Sequence, residues 1–271
     1  MLRFKGGEGC LFVEFDGKKV LKIDSGSVCV GVGKNTYSMS HGSFKIKEKV
    51  SKKKQLKITR VFVSENRAGV VFDDGCLQIT VEKNRLKFVP QGLGKYNRLW
   101  VRIPATEDEH VYGSGEIFSE FDLRGKKANV WVAEHINALQ IAKKLLKQVF
   151  GIKNTTKKQK FSNYETYYAQ PTFISSRKYF YHSLTTARAE FDFKDKGFHT
   201  VKTDEVAPFY IGFGNDFESV LESLTDIVGR QPVLPDWVYG GQILGVQGGT
   251  ETMLKKYGEA VEYGADVNGI W

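Results

Sequence analysis

Few residues of this 271-residue chain stand at spacings that catalysis requires. Cys10, Cys29 and Cys76 lie far apart and are odd in number, which fits neither a zinc spacing nor a CxxC pair. They read as buried or half-buried thiols of a reducing compartment. His110, His135 and His182 show no ligand spacing to any Cys, Asp or Glu, and HExxH, P-loop and GxSxG motifs are absent. The glycine pair in Tyr112-Gly113-Ser114-Gly115-Glu116 lacks the third glycine and the following helix of a dinucleotide site. No cofactor and no metal is expected. What remains is polar groups beside glycines. Glu116 sits in a Gly-flanked turn, where a backbone can approach a ligand closely, although the same glycines serve any tight turn. Gln247 closes an apolar run and precedes Gly248-Gly249-Thr250-Glu251; its amide can donate hydrogen bonds without a charge to desolvate. Asp122, Arg124 and Lys126 read as an ion-paired turn.

The elements that must hold these residues are mostly strands. Over the first 130 residues, SFKIK (43–47), TRVFVSE (59–65) and NRLKFV (84–89) alternate apolar with polar residues. Turns separate them at Asp16-Gly17, Ser25-Gly26 and Asp74-Gly75. Many short strands with polar turns favour an antiparallel sandwich. A 3.6-residue stripe of Ile136, Leu139, Ala142, Leu145, Leu146 and Val149 predicts a helix over 134–149, followed by an exposed loop over 153–163. Strand character returns over 170–182 and 188–193. A second helix is predicted over 216–228, capped by Asn215 or Asp216 and stopped by Gly229. Pro232 and Pro235 then bracket a stiff connection, giving a domain of residues 1–235 and a second segment of 236–271. In that segment an apolar strand (237–247), a helix capped by Thr250 and ended by Gly264, and a strand beginning at Val267 form one βαβ unit. Such a unit leaves sheet edges and apolar faces uncovered, so the chain reads as cut.

Composition narrows the class. Hydrophobic residues at 41% and a mean hydropathy of -0.33 suit a globular protein with a real core. No apolar stretch approaches the roughly 20 residues needed to cross a bilayer, and no signal peptide is visible. A soluble, cytoplasmic protein without a membrane partner is expected. The net charge of +9 is uneven: residues 1–160 hold 31 Lys+Arg against 16 Asp+Glu, a balance of +15. The lysine runs responsible, residues 45–54 and 143–160, hold a single aromatic, Phe150, rather than an interleaved set for base stacking, and are poor in arginine. They read as solvated faces rather than a nucleic-acid site.

Three segments carry a family resemblance: VYGSGEIFSEFDLRGKK (111–127), QPTFISSRKYFYH (170–182) and GRQPVLPDWVYGGQILGVQGGTE (229–251). They resemble glycoside hydrolase family 31, and within it the sulfoquinovosidase branch. The resemblance covers residues 95–271 well and the first 95 by strand pattern and position. It implies a mainly β protein: an N-terminal antiparallel β-sandwich of the galactose-mutarotase kind, then the first βαβ unit of a truncated (β/α)8 barrel. The branch rests on Gln247, which matches the first member of a Gln, Gln, Arg, Trp set that grips the sugar's sulfonate; barrel active sites lie at the C-terminal ends of strands. The second glutamine is expected two residues beyond Trp271. Glu116, near the barrel mouth in the resembling enzymes, is the second substrate-binding candidate, with an inter-domain hydrogen bond as the rival role. Trp271 is a candidate to stack on the sugar or to pack in the core.

The resembling enzymes are retaining hydrolases. One aspartate attacks the anomeric carbon and another protonates the leaving oxygen, through a covalent glycosyl-enzyme. In the family both lie on the fourth and sixth barrel strands, beyond Trp271, so no catalytic residue is assigned here and the chain is expected to be inactive alone. Its implied partners are an α-glycoside, including sulfonated sugars, and the missing catalytic barrel. Two alternatives stand beside this reading: an ordinary α-glucosidase or α-xylosidase fragment in which Gln247 is incidental, and a non-enzymatic carbohydrate-binding sandwich.

Overall fold

The computed structural model describes residues 1–40, 43–117, 120–132 and 166–271. The helix expected over 134–149, the loop over 153–163, His135 and the lysine run 143–160 lie outside the described residues. The chain divides into two compact units, Met1–Ile227 and Val228–Trp271.

The first unit is built from antiparallel strands. β1 (Leu2–Gly7), β2 (Cys10–Phe15) and β3 (Lys18–Ile23) make a three-stranded sheet in that order. The β2–β3 turn uses Asp16 at φ 48° and Gly17 at φ 77°, the left-handed pair that a two-residue hairpin demands. A six-stranded sheet runs β12-β15-β16-β10-β4-β5, from β4 (Val28–Ser40), β5 (Ser43–Gln55), β10 (Arg98–Pro104), β12 (Lys127–Val130), β15 (Ala189–Asp192) and β16 (Phe198–Thr203). An eight-stranded sheet runs β11-β13-β14-β17-β9-β8-β7-β6. Its strands are β6 (Ile58–Val63), β7 (Arg67–Phe72), β8 (Cys76–Glu82), β9 (Arg85–Gln91), β11 (Val111–Ile117), β13 (Thr166–Ser175), β14 (Tyr179–Ser183) and β17 (Phe209–Phe213).

Period-2 alternation sends one face of each sheet into a shared core. Val28, Val30, Leu99, Val101 and Phe191 from the six-stranded sheet join Ile79, Phe88, Phe173, Tyr181 and Phe209 from the eight-stranded one, with Leu11 and Val13 from the small sheet. The rings pack in specific geometry: Phe88 stacks on Phe209 at 4.6 Å and Phe191 meets Phe173 edge-on at 5.5 Å. β14 and β17 are buried at every residue because they are covered on both faces. Tyr181 and Ile211 face the core, while Phe180 and Tyr210 lie under Val220 and Leu224 of helix α1 (Phe217–Val228). Asp216 caps that helix, its Oδ1 accepting from the Ser219 amide at 2.8 Å, and Gly229 at φ 87° ends it.

Two strand expectations are refined. The segment 170–182 is a hairpin rather than one strand, β13 turning into β14 through Lys178 at φ 62°. The lysine run 45–54 lies in β5, at the edge of the six-stranded sheet, where exposed lysines discourage pairing with another chain.

The second unit is a βαβ element. β18 (Gln242–Leu244) pairs in parallel with β19 (Val267–Ile270), and helix α2 (Gly249–Glu262) connects them. The strand expected over 237–247 is much shorter. Asp236–Val238 forms a 3-10 turn instead, held by the Asn268 amide donating to the Trp237 carbonyl at 2.8 Å. Gly240 and Gly241 then pass so near Asn268 and Asp266 that a Cβ on Gly241 would stand 2.4 Å from the Asp266 carbonyl. Thr250 does not cap α2; Gly248 at φ 121° holds that position with no side-chain bond, and Thr250 is already helical. Among the described residues no helix is long and apolar enough to cross a membrane.

Candidate functional site

Gln247 lies beyond the C-terminal end of β18, where the chain turns into α2, and is exposed. The turn is built by Gly248, whose positive φ and close approach to Thr252 suit only glycine. The adjoining end of β19 is tied in by reciprocal bonds: Trp271 N–H donates to Leu244 O and Val246 N–H donates to Trp271 O, each at 2.9 Å. Gln247, Trp271 and the first turn of α2, with Glu251, thus occupy one end of the parallel pair. Asp266 stands at the other end, just before β19, its carbonyl engaged by Gln242 N–H at 2.6 Å, and Asp236 opens the 3-10 turn that precedes β18. Neither is placed for chemistry beside Gln247.

Glu116 sits in β11 rather than in a turn, which corrects the sequence reading. The strand is bulged: its pairing with β13 shifts register between Gly113 and Gly115 and again before Ile117. Gly113, Ser114 and Gly115 all take positive φ, at 117°, 67° and 100°. A Cβ on Gly115 would fall 1.8 Å from the Tyr168 carbonyl, and one on Gly113 2.9 Å from that of Thr172. Both glycines are therefore required by the approach of β13, whatever binds outside. Glu116 itself is exposed and makes no ion pair among the described residues. The two candidates lie in different compact units.

The FDLRGK segment is architectural, as its sequence suggested, but by other bonds. Asp122 accepts from the amides of Val111 and Arg124 at 3.1 and 3.0 Å and pairs with His110 Nδ1 at 2.7 Å. Burial pushes its carboxyl upward, yet His110 and these amides bring it below the usual range. Arg124 spends its guanidinium on backbone carbonyls of Thr106, Phe193, Asp195 and Lys196, while Lys126 pairs with Glu120.

Two polar clusters were not foreseen. Glu109, buried, accepts from Ser175 Oγ at 2.5 Å and Tyr179 OH at 2.8 Å. His199 Nε2 stands 3.0 Å from the same oxygen, an electrostatic contact rather than a well-aligned hydrogen bond. Burial opposes ionisation, but His199, Ser175 and Tyr179 together hold the Glu109 carboxyl down at about 2. The carboxylate lies between serine and histidine, so no base reaches the hydroxyl and this is no nucleophilic triad. It knots β13, β14 and β16 to the loop before β11. The second cluster covers the outer face of the six-stranded sheet, where Arg98, Arg188 and Lys202 interlock with Glu48 and Asp204. No single residue of either cluster marks itself in the sequence, because partners come from strands up to 154 positions apart. His182 is also structural: Thr172 Oγ1 meets its Nδ1 at 2.7 Å and burial lowers its pKa. Among the described residues no group of three His, Cys, Asp or Glu could hold a metal ion.

No family model matches the chain. It is 32% identical to the sulfoquinovosidase of Escherichia coli (strain K12) over 268 residues, which is 92% of this chain and 37% of that protein. The sulfoquinovosidase of Agrobacterium fabrum (strain C58) matches at 32% over 253 residues, with the same coverage of both chains. Among solved structures, a GH31 family sulfoquinovosidase from E. rectale, in complex with the aza-sugar inhibitor IFGSQ, superposes with a TM-score of 0.80 at 30% identity. That match spans 99% of this chain and 40% of the other. A cycloalternan-forming enzyme from Listeria monocytogenes gives a TM-score of 0.51 at 14% identity, over 96% of this chain and 29% of its own, a likeness of fold alone. The chain thus spans little more than a third of the length of the curated relatives it matches. With a sandwich and a βαβ element in hand, the chain is similar over nine-tenths or more of its length to part of these sulfoquinovosidases, one of them a GH31 family enzyme.

Proposed function

We propose that these 271 residues are the N-terminal part of a retaining α-glycosidase that hydrolyses α-sulfoquinovosides, releasing the sugar in sulfoquinovose glycolipid breakdown. In this reading residues 1–235 are the sandwich domain and residues 236–271 begin the (β/α)8 barrel. The observation that carries it is the similarity to sulfoquinovosidases across 92% of the chain, with Gln247 at the C-terminal end of the first parallel strand.

Gln247 would donate its amide N–H groups to a sulfonate oxygen, and Glu116 would accept from sugar hydroxyls. Double displacement needs two carboxyl groups about 5–5.5 Å apart across the anomeric carbon. Asp236 and Asp266 precede their strands and cannot supply them, so the nucleophile and the acid/base belong to later barrel strands. Losing both members of such a pair removes nearly all the rate. The three free thiols fit a cytoplasmic setting.

The test assays 4-nitrophenyl α-sulfoquinovoside and α-glucoside with the 271-residue chain and with the protein continued through its barrel. The short chain should turn over neither substrate; measurable hydrolysis by it would overturn the assignment of catalysis to later strands. The continued protein should prefer the sulfoquinovoside, and Gln247→Ala should raise its KM for that substrate by about tenfold or more, one hydrogen bond to a charged group. Preference for the α-glucoside would favour the ordinary α-glucosidase alternative.

A further inference from the structure

The outer face of the six-stranded sheet is unlike the rest of the sandwich surface. Alternation along β10 sends Leu99, Val101 and Ile103 to the core and leaves Arg98, Trp100 and Arg102 outside. Register then sets Trp100 between Cys29 of β4 and Lys202 of β16, and Arg102 opposite Thr200. Glu190 pairs with Lys202 and Asp192 with Thr200 on the next strand. These side chains surround a cavity of about 200 Å³, with Cys29 and Trp100 nearly buried within its wall. That is several times the ~30 Å³ share of one water.

The charges around it are unequal. Lys53, Arg102, Lys127 and Lys202 face Glu190 and Asp192. Lys127 is paired with Glu190 at 2.9 Å, and Lys202 is held by Glu48. Lys53 and Arg102 have no carboxylate within reach among the described residues. Aromatic faces hold them instead: Lys53 Nζ stands 4.7 Å from the Trp100 ring centroid, and the Arg102 guanidinium 4.5 Å from that of Phe198. Burial raises the pKa of the Cys29 thiol, and both cations act on it to offset part of that push. Two anchored, unneutralised donors thus converge on one cavity whose opposite rim carries a hydroxyl, Thr200, and two carboxylates. Donors of that kind suit an oxyanion, and the acceptors suit hydroxyl groups.

We infer that this cavity is a second ligand site, taking a monosaccharide that bears one anionic group, a sulfonate or a phosphate. Lys53 and Arg102 hold the anion, Glu190 and Asp192 the ring hydroxyls. The site lies wholly within the first compact unit and stands independently of the reading of Gln247.

Calorimetry on the 271-residue chain at low salt tests it, with sulfoquinovose, glucose 6-phosphate, glucose and inorganic phosphate as probes. At least one sugar anion should bind at one site, with glucose and inorganic phosphate at least tenfold weaker; the tighter of the two identifies the anion. Arg102→Gln and Lys53→Gln should each weaken binding about tenfold or more. Both residues are exposed, so the fold should survive, as an unchanged melting temperature will show. Lys18→Gln, an equal loss of charge on β3, should leave affinity unchanged. The inference is overturned if neither sugar anion binds, if binding survives both cavity variants, if Lys18→Gln weakens it equally, or if inorganic phosphate binds as tightly as the sugars.

Discussion

In Met1–Ile227 the large rings Phe173, Tyr181, Phe191 and Phe209 are fully buried and touch one another, whereas in Val228–Trp271 Trp237, Tyr239, Tyr263 and Trp271 all stand exposed. Both regions are rich in aromatics and form regular structure. The difference is topological. Antiparallel sheets facing each other give every inward side chain an opposing layer, so the sandwich closes on its own residues. A parallel pair with one helix has a layer on one side only, and no residue of α2 is buried. Aromatic content therefore says little about burial until the topology supplies a second layer. The sharpest way to break this comparison is to truncate one ring in each unit. Phe173→Ala should cost about 3–5 kcal/mol, the usual range for an aromatic removed from a packed core. Tyr263→Ala should stay within about 0.5 kcal/mol. Urea unfolding followed by circular dichroism measures both; similar costs would mean the second unit has cover that its own residues do not provide.

Buried charge sharpens the contrast further. In the first unit Glu109 sits amid Ser175, Tyr179 and His199 and is held at about 2, against an ordinary 4.5. Its folded pKa is depressed, so its contribution is fully present above pH 4.5 and is lost as the pH falls toward 2. A shift of that size corresponds to a stabilisation on the order of 3 kcal/mol. Glu109→Gln should remove most of this difference between pH 6 and pH 2.5, flattening the acid limb of the urea midpoint. In the second unit Glu259 is lowered only by the exposed Lys256 and Lys255 beside it, and Glu259→Gln should leave the acid limb as it is. Equal flattening by both variants would contradict the reading of Glu109 as a buried knot.

How much of this was legible in the sequence follows from what each feature depends on. Alternation is local, so the strands at 59–65, 84–89 and 188–193 and the stripe of α1 could be read directly. The βαβ order was legible too, since glycines punctuate it at 248–249 and 264. Strand length in the second unit was not. Apolar residues from Trp237 onward look like one strand, but a strand extends only as far as its partner, and β19 has four residues. The glycines around Glu116 misled for the same reason. They suggested a turn, and what demands them is β13, more than 50 positions away. Gln247 is a candidate through family resemblance alone, because a glutamine before two glycines has no chemistry of its own to announce.

The two helices give the finest comparison, because both have the apolar spacing of an amphipathic segment. α1 carries Val220, Leu224 and Ile227, and α2 carries Met253, Leu254, Tyr257 and Val261. Leu224 lies against Phe180 and Tyr210, so Leu224→Ala should cost about 2–3 kcal/mol, the lower part of the range for a buried leucine because the cluster is small. Leu254 is 58% exposed, and Leu254→Ala should shift stability by no more than about 0.5 kcal/mol. Alanine's higher helix propensity even offsets part of that loss. If the protein is continued through a barrel, neighbouring strands and helices would cover α2, and the same Leu254→Ala should then cost nearly what Leu224→Ala costs. Measuring the pair in both lengths isolates the contribution of the added layer. A Leu254→Ala cost that stays near zero in the continued protein would count against α2 as a packed barrel helix, and so against the proposed architecture.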